Sequence, residues 1–356
     1  MSVAQTYNAL LAAASSLLTA RIAFELESCR HQAPYERNIT VMSRRYYGPD
    51  FPKETYIAHA YPESTVDLGE VVLNYAVTGS ESSPALLLVP GLAESWWGYE
   101  AAMKLLEADL QIYAVDVRGQ GRSSRTPGRY TLDNWGNDLV RFIERVIKRP
   151  TLVAGQSLGG LMAAWLSAYA PPGLVRAVYL EDATLFTSEL VPAYGTGMRQ
   201  FAPGYLFNLF MTYLGDQWRV GDWKGMQSNA PSMLPAWMQG RIPAGDEPPQ
   251  SLKEFDPEHA RAMFTGTAMA GCSHKLMLQS AKTSMLFTHH ARGIDPETGI
   301  VRGATTDSQV SYARQLVEKA GQRFDYLSLP EKGHILHQED TPLYASILKD
   351  WALHVA

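Results

Sequence analysis

The chain has 356 residues, of which 46% are hydrophobic and 19% charged, so it carries ample apolar material for a globular core. The formal net charge is −5 and the basic residues are scattered, which argues against nucleic acid as a partner. Cys29 and Cys272 form neither a disulfide framework nor a metal-ligand spacing. We therefore expect a reducing, cytoplasmic location with no structural metal and no cofactor, and no apolar run approaches the roughly 20 residues of a membrane span.

The N-terminal segment contains apolar residues near helical spacing between Val3 and Ile22. This pattern predicts an amphipathic helix that docks on the body of the protein or on a second subunit, as in a homodimer. A signal peptide is the alternative, but no basic residue precedes the apolar stretch and polar residues interrupt it. Residues 1–60 are accordingly assigned to an N-terminal helix and an irregular extension.

Strand and helix signals then alternate, which is typical of an α/β fold with a mostly parallel central sheet and helices on both faces. A helix is expected from Leu132 to Lys148, with Asp133 as its candidate N-cap. Another helix follows the strand at 151–154. Residues 61–184 form the predicted first half of the core, with strands expected at 71–77, 85–89, 111–117, 151–154 and 174–180.

The alternation stops near Thr184. Residues 185–275 are rich in Trp, Tyr, Met, Pro and Gly, and we expect an inserted helical lid there. Strand signals return at 284–288 and 324–329, and a closing helix is predicted over 343–354. Residues 276–356 therefore form the predicted second half of the core.

A Gly-x-Ser-x-Gly pentapeptide, Gly155-Gln156-Ser157-Leu158-Gly159, joins a predicted strand to a predicted helix. A serine at such a turn sits in strained backbone, and glycine neighbours allow the strand and helix to approach closely. The turn presents the hydroxyl at the positive end of the helix, where a developing oxyanion is stabilised. This context predicts a nucleophile elbow with Ser157 as the nucleophile.

The general base of such a site comes last in the chain. His334 follows the last predicted strand directly, and we expect it to be the base, with His337 as the rival. His289 and His290 end another strand and could line the pocket.

The sequence offers several candidates for the acid that orients the base. The apolar strand after the elbow helix ends in Glu181-Asp182, and Glu181 is the preferred acid. Asp182 and Asp295 remain alternatives, and Asp307 is more naturally a helix cap. For the oxyanion hole, the expected donors are the backbone N–H groups of Leu158 and Leu92.

The segment Asp116–Ser123, the elbow and Gly333-His334 resemble the α/β-hydrolase superfamily over about residues 66–356. A closer resemblance is carried by seven further stretches, Val66–Val72, Ser95–Glu100, Asn134–Ile143, Leu214–Trp218, Gly221–Gly225, His289–Arg292 and Asp295–Gly299. These stretches are similar to the zearalenone lactone hydrolases, specifically the longer bacterial-type enzymes. The chain departs from those enzymes at Leu158 and at Pro90-Gly91-Leu92.

The resemblance implies hydrolysis of the ester bond of a resorcylic acid macrolactone by Ser157, His334 and Glu181. In an apolar lid, Trp223 is the expected substrate contact, and Trp97 the expected wall beside the oxyanion hole; core packing is the alternative role for both. A general carboxylesterase acting on small esters and a non-catalytic ligand-binding protein of the same fold are the rival functions. Epoxide hydrolases are disfavoured because they use Asp where Ser157 stands.

Overall fold

A computed structural model describes residues 57–189, 197, 201–216 and 221–355. The predicted N-terminal helix, and with it the expected docking to a second subunit, lies outside these residues.

The described residues form a sheet of eight strands in the order β1-β2-β4-β3-β5-β6-β7-β8. The pairs β1–β2 and β2–β4 are antiparallel, and every other neighbouring pair is parallel. The predicted mostly parallel sheet is therefore confirmed. The strands are β1 Glu63–Asp67, β2 Val72–Thr78, β3 Ala85–Val89, β4 Gln111–Val115, β5 Thr151–Gln156, β6 Val175–Glu181, β7 Ser284–His290 and β8 Phe324–Leu329.

The described helices are α1 Glu100–Leu106, α2 Leu132–Phe142, α3 Leu158–Tyr169, α4 Ala202–Tyr213, α5 Trp223–Met233, α6 Gln250–Lys253, α7 Pro257–Thr265, α8 His274–Gln279, α9 Asp307–Lys319, α10 Leu336–Glu339 and α11 Thr341–Val355. Short 3-10 turns occur at Trp96–Tyr99, Ala236–Arg241 and Thr267–Met269, and one π-helical turn, Ile143–Ile147, follows α2. None of the helices in the described ranges is both long and apolar enough to cross a bilayer. Helices α4 to α8 all fall between β6 and β7 in the chain.

The start of α2 differs in detail from the prediction. Thr131, not Asp133, is the N-cap, and its hydroxyl accepts a hydrogen bond of 3.2 Å from the Asn134 N–H. Thr131 has the extended backbone that is typical of an N-cap, whereas Asp133 already lies in the first turn of the helix, and its carboxylate accepts from the Trp165 Nε1–H at 2.8 Å.

The core lies on both faces of the sheet because the central strands are apolar throughout. In β3, Leu87 and Val89 pack on one face with α2 and α3, whereas Leu86 and Leu88 pack on the other with α1 and α11. Successive side chains of a strand point to opposite faces, so a continuous apolar run suits a strand covered by helices on both sides. The alternating directions of these side chains therefore contribute to the apolar core on both faces of the sheet.

The parallel register brings the carboxyl ends of the central strands to one edge of the sheet. Gln156 is paired with Glu181, and Glu181 with Thr288, across β5, β6 and β7. The loops that leave these strands therefore start side by side, at the place where open α/β sheets bind their ligands.

Candidate active site

Ser157 occupies the sharp turn between β5 and α3, with φ 53° and ψ −113°. A side chain at Gly155 would place its Cβ 2.2 Å from the backbone of Gly159, and one at Gly159 would approach the Val89 carbonyl oxygen to 2.2 Å. Only glycine therefore fits on both sides of the serine, and the strained serine backbone is held by the strand and helix around it. The turn places Ser157 at the N-terminus of α3, where the helix dipole favours negative charge.

His334 lies on the loop between β8 and α10, and its Nδ1 is 2.7 Å from Asp182 Oδ2. An ionised carboxylate only accepts, so Nδ1 carries the proton and Nε2 is the basic nitrogen. Asp182 is fully buried, and its second oxygen accepts from the His290 N–H at 3.1 Å. Burial lowers the pKa of His334, but its hydrogen bond and charge interaction with Asp182 outweigh burial and leave the pKa above its usual range.

The expected pairing of Glu181 with His334 is not formed. Glu181 instead contacts His337, whose Nδ1 lies 3.0 Å from both carboxylate oxygens and whose backbone N–H donates to Oε1 at 3.0 Å. Adjacent side chains leave the end of a strand in opposite directions, and Asp182 adds a left-handed turn with φ 43°. The neighbouring acids therefore reach different histidines, and the one beside His334 is Asp182.

The turn after β3 is held in place by Gln120. Its side-chain amide donates to the Gly91 carbonyl at 2.9 Å and accepts from the Ala93 N–H at 2.7 Å. Within the described part of the chain, the Leu92 N–H between these two contacts has no acceptor. Leu92 and Leu158 border the same cavity as Ser157, in keeping with the expected pair of oxyanion donors.

A second glutamine connects the elbow to the histidine loop. Gln156 Nε2 donates to the His334 carbonyl at 2.9 Å, and its Oε1 lies where a Cβ on Gly91 would be. Sequence reasoning assigned no role to Gln120 or Gln156. Both glutamines lie inside motifs that the sequence did reveal, Asp116–Ser123 and the elbow pentapeptide, but the sequence does not show which groups their side chains contact.

A cavity of about 440 Å³ opens above Ser157 and His334. Trp97 is part of its wall, and the Trp97 Nε1–H donates to Glu254 at 3.0 Å. Trp223 is not among the described lining residues: it is buried and donates to the Gly245 carbonyl at 3.1 Å, while Trp237 lines the cavity instead. Most of the lining is apolar and includes Leu206, Phe207, Phe210, Met238, Leu252 and Met263.

Among the described residues, the remaining candidates make no hydrogen bond to the His334 side chain. Asp295 accepts from Thr298 and pairs with Arg302 at 3.0 Å, which closes its own loop. Asp307 lies in the first turn of α9 and contacts an arginine at 2.6 Å. His289 and His290 are fully buried, and the residue of this segment that lines the cavity is Ala291.

Three curated relatives illustrate what the chain is similar to. They are 3-oxoadipate enol-lactonase 2 of Acinetobacter baylyi (28% identity over 109 residues; 31% of this chain and 41% of that one), pheophytinase of Arabidopsis thaliana (29% over 147; 32% and 30%) and proline iminopeptidase of Lactobacillus crispatus (33% over 126; 33% and 43%). The matches thus span less than half the length of each relative.

Solved structures are similar over much more of the chain. A hydrolase from Pseudomonas aeruginosa superposes with a TM-score of 0.55 at 18% identity, covering 82% of this chain and 98% of that one. The enol-lactonase of Burkholderia xenovorans superposes with a TM-score of 0.55 at 15% identity, covering 82% and 100%. At such low identity the likeness concerns the fold alone.

The sequence profile of the Alpha/beta hydrolase family matches residues 86–346, which is most of the chain. The match begins at β3 and includes the elbow, Asp182 and His334. The chain therefore belongs to the alpha/beta hydrolase family.

Proposed function

We propose that this protein is a serine hydrolase that opens the ester bond of a resorcylic acid macrolactone such as zearalenone. Ser157 is the nucleophile, His334 the base and Asp182 the acid that orients the base. The observation that carries the proposal is the contact of 2.7 Å between His334 and Asp182 at the edge of an apolar cavity that also holds Ser157.

The first half of the reaction forms an acyl-enzyme. His334 Nε2 takes the proton of the Ser157 hydroxyl as the oxygen attacks the lactone carbonyl. The N–H groups of Leu92 and Leu158 bind the oxyanion, while Asp182 stabilises the imidazolium. The imidazolium then protonates the leaving alkoxide. In a lactone the alkoxide belongs to the same molecule as the acyl group, so the ring opens and nothing is released.

The second half returns the enzyme. A water molecule gives a proton to His334 as the water oxygen attacks the acyl carbon. The imidazolium then passes this proton to the Ser157 oxygen as the serine leaves the acyl carbon. The product is a hydroxy acid, heavier than the lactone by one water. Each step uses the same nitrogen of His334, which is why its other nitrogen must stay protonated and bound to Asp182.

The volume and the mostly apolar lining of the cavity favour an apolar substrate of moderate size. Part of its wall comes from helices inserted between β6 and β7, including Phe207 and Phe210 of α4 and Met263 of α7, so in this proposal the insertion acts as a lid. A pocket of this volume with few polar groups suits a flat ring with an aliphatic macrocycle. The residues that resemble zearalenone lactone hydrolases, and the similarity to an enol-lactonase, also support a lactone.

The proposal is tested by incubating the protein and its Ser157→Ala variant with zearalenone. We expect the wild type to yield the ring-opened hydroxy acid, detected by mass spectrometry, and the variant to yield none. An intact lactone after long incubation with folded wild-type protein would refute the lactonase activity.

A general carboxylesterase is the second candidate, because the same nucleophile and oxyanion donors would act on any ester that enters the cavity. Turnover of p-nitrophenyl butyrate, measured in parallel, separates the two. Hydrolysis of this ester without any loss of zearalenone would favour the esterase. Failure of both substrates would favour a non-catalytic binding protein.

A further inference from the structure

A second carboxylate–imidazole pair lies next to the first. Glu181 and His337 repeat the arrangement of Asp182 and His334. Glu181, at the end of β6, precedes Asp182 by one residue, and His337, in α10, follows His334 by three. Glu181 and His337 are both completely or almost completely buried, whereas the proposed reaction needs neither. Buried ionisable groups are costly unless they are paired, so a pair without a catalytic role calls for another explanation.

The imidazole of His337 is fixed in orientation. Its ring stacks on Tyr99 with centroids 4.0 Å apart and meets the edge of Tyr344 at 5.7 Å. Nδ1 is bound to Glu181, and Nε2 faces Glu94 with 3.7 Å between Nε2 and Oε2. The pair therefore directs its outer nitrogen at one particular carboxylate.

Glu94 belongs to the turn that carries the oxyanion donor Leu92, and it lines the cavity with Ser157 and His334. Its Oε1 accepts from Gln338 Nε2 at 3.2 Å, the Gly91 backbone also interacts with the carboxylate, and the buried Oε2 has no direct hydrogen-bond partner among the described side chains. Two carboxylate oxygens can together accept about four hydrogen bonds. Acceptor capacity is thus left over at a polar group in a mostly apolar cavity.

Apart from Glu94 and His334, the ionisable side chain in the described lining of the cavity is Arg302, and its charge is already neutralised. Arg302 pairs with Asp295 at 3.0 Å and lies over the Trp237 ring, 5.3 Å from its centroid. Glu94 shares its nearest cation with Glu181: His337 Nε2 lies 3.7 Å from Glu94 Oε2, and His337 Nδ1 lies 3.0 Å from Glu181 Oε2. An anionic substrate group near Glu94 would be repelled by both carboxylates, whereas a neutral hydroxyl could donate to the free acceptor sites.

Electrostatics at Glu94 agree with a neutral ligand. Burial raises the pKa of Glu94, while the positive charge of His337 opposes the rise and the negative charge of Glu181 adds to it. The pKa of His337 is itself raised, since its interactions with Glu181 outweigh the effect of burial. A carboxyl group with a raised pKa accepts a hydrogen bond from a hydroxyl when ionised and donates one to its oxygen when protonated.

We propose that Glu94 binds a neutral hydroxyl group of the substrate, and that the Glu181–His337 pair behind it holds the Glu94 carboxylate in position. The inference rests on the proposed function, since it names the group through which a phenolic lactone would be recognised. Glu94 is a specificity-determining residue in this assignment, and His337 and Glu181 are positioning residues.

The test compares each variant with itself, using ligands that differ only in the hydroxyl. Competitive inhibition of p-nitrophenyl butyrate turnover is measured with 2,4-dihydroxyacetophenone and with its 4-methoxy analogue, neither of which contains an ester. We expect the phenol to inhibit the wild type about tenfold more strongly than the methyl ether, the size of effect of one hydrogen bond to a charged group. This preference should fall below about twofold in Glu94→Ala and largely persist in Glu94→Gln, whose amide keeps one acceptor oxygen.

Two further variants complete the test. Glu144→Gln, at an exposed carboxylate on the turn after α2, should keep the full preference. His337→Gln should reduce it while the protein still melts cooperatively, because Glu94 loses its support. An unchanged preference in a folded Glu94→Ala protein would overturn the inference, as would stronger inhibition by a cationic 4-aminomethyl analogue.

Because the readout is ester turnover, absence of zearalenone hydrolysis would refute the proposed function without deciding this inference. If the ester is not turned over either, the same two ligands are compared by direct calorimetric binding, with the same outcomes.

Discussion

Asp182 Oδ2 and His334 Nδ1 lie 2.7 Å apart although 152 residues separate them in the chain. Asp182 leaves the end of β6 through a left-handed turn, and His334 approaches from the loop after β8. The contact fixes the tautomer of the imidazole and leaves Nε2 as the basic nitrogen. It is also the contact by which the proposed catalytic roles are most directly tested.

Replacing the acid should separate the two neighbouring carboxylates. In Asp182→Asn the side chain can no longer stabilise the imidazolium or enforce the tautomer, and we expect kcat to fall by about 10⁴-fold. In Glu181→Gln the buried contact with His337 is weakened, and we expect mainly a loss of stability of about 1–3 kcal/mol. Rates with p-nitrophenyl butyrate and thermal unfolding of both variants check this. A larger loss of kcat in Glu181→Gln than in Asp182→Asn would return the acid to Glu181.

The pH dependence of kcat/KM should report the His334–Asp182 contact. In the proposed mechanism His334 must be neutral to accept the serine proton, and its pKa is raised by Asp182. Activity is therefore lost as pH falls, and we expect the midpoint of this acid limb above the ordinary histidine value of about 6.5. In Asp182→Asn the residual activity should have its midpoint at lower pH, since the raising interaction is gone. A midpoint that stays in place in the variant would assign the titration to another group.

The oxyanion turn has no room for a side chain at Gly91. A Cβ there would lie 1.9 Å from Gln156 Oε1 and 3.3 Å from Ser157 Cβ. In Gly91→Ala either the turn with its Leu92 N–H or the Gln156 amide, which donates to the His334 carbonyl, must shift, and both hold part of the proposed site, so we expect kcat to fall by about 10²–10³-fold. Gly240→Ala is the matched control, because a Cβ at Gly240 meets no atom within 4 Å. Equal rates for the two variants would mean that the turn does not position a donor.

Trp223 and Trp237 of the inserted segment should respond differently to substitution. Trp237 lines the cavity, and we expect Trp237→Ala to raise the KM for zearalenone about ten- to a hundredfold, as apolar contact with the substrate is lost. Trp223 lies elsewhere and donates to a backbone carbonyl. Trp223→Phe should lower the stability by about 1 kcal/mol with little change in KM. Steady-state kinetics and chemical denaturation distinguish these outcomes, and the opposite pattern would restore Trp223 as the substrate contact.

Much of the fold was predictable because its signals are local. The strands at 85–89 and 324–329 have the bounds expected from their apolar patterns, and the closing helix, Thr341–Val355, extends the predicted one slightly at each end. The strand β1 was not expected: its residues are mostly half-buried or exposed, so it lacks an apolar signal and depends on pairing with β2.

The sequence by itself determined the elbow, because the Gly-x-Ser-x-Gly spacing directly encodes the close approach of strand and helix around Ser157. It also pointed to His334 through its place after the last strand. Which acid meets that histidine was decided only by the tertiary structure, since Glu181 and Asp182 are adjacent in the sequence and differ only in the direction their side chains leave β6. The tertiary structure also decided that Trp237 rather than Trp223 lines the cavity, and that Glu94 contacts His337. Each of these contacts depends on how segments distant in the chain pack together, so no local sequence pattern predicts it.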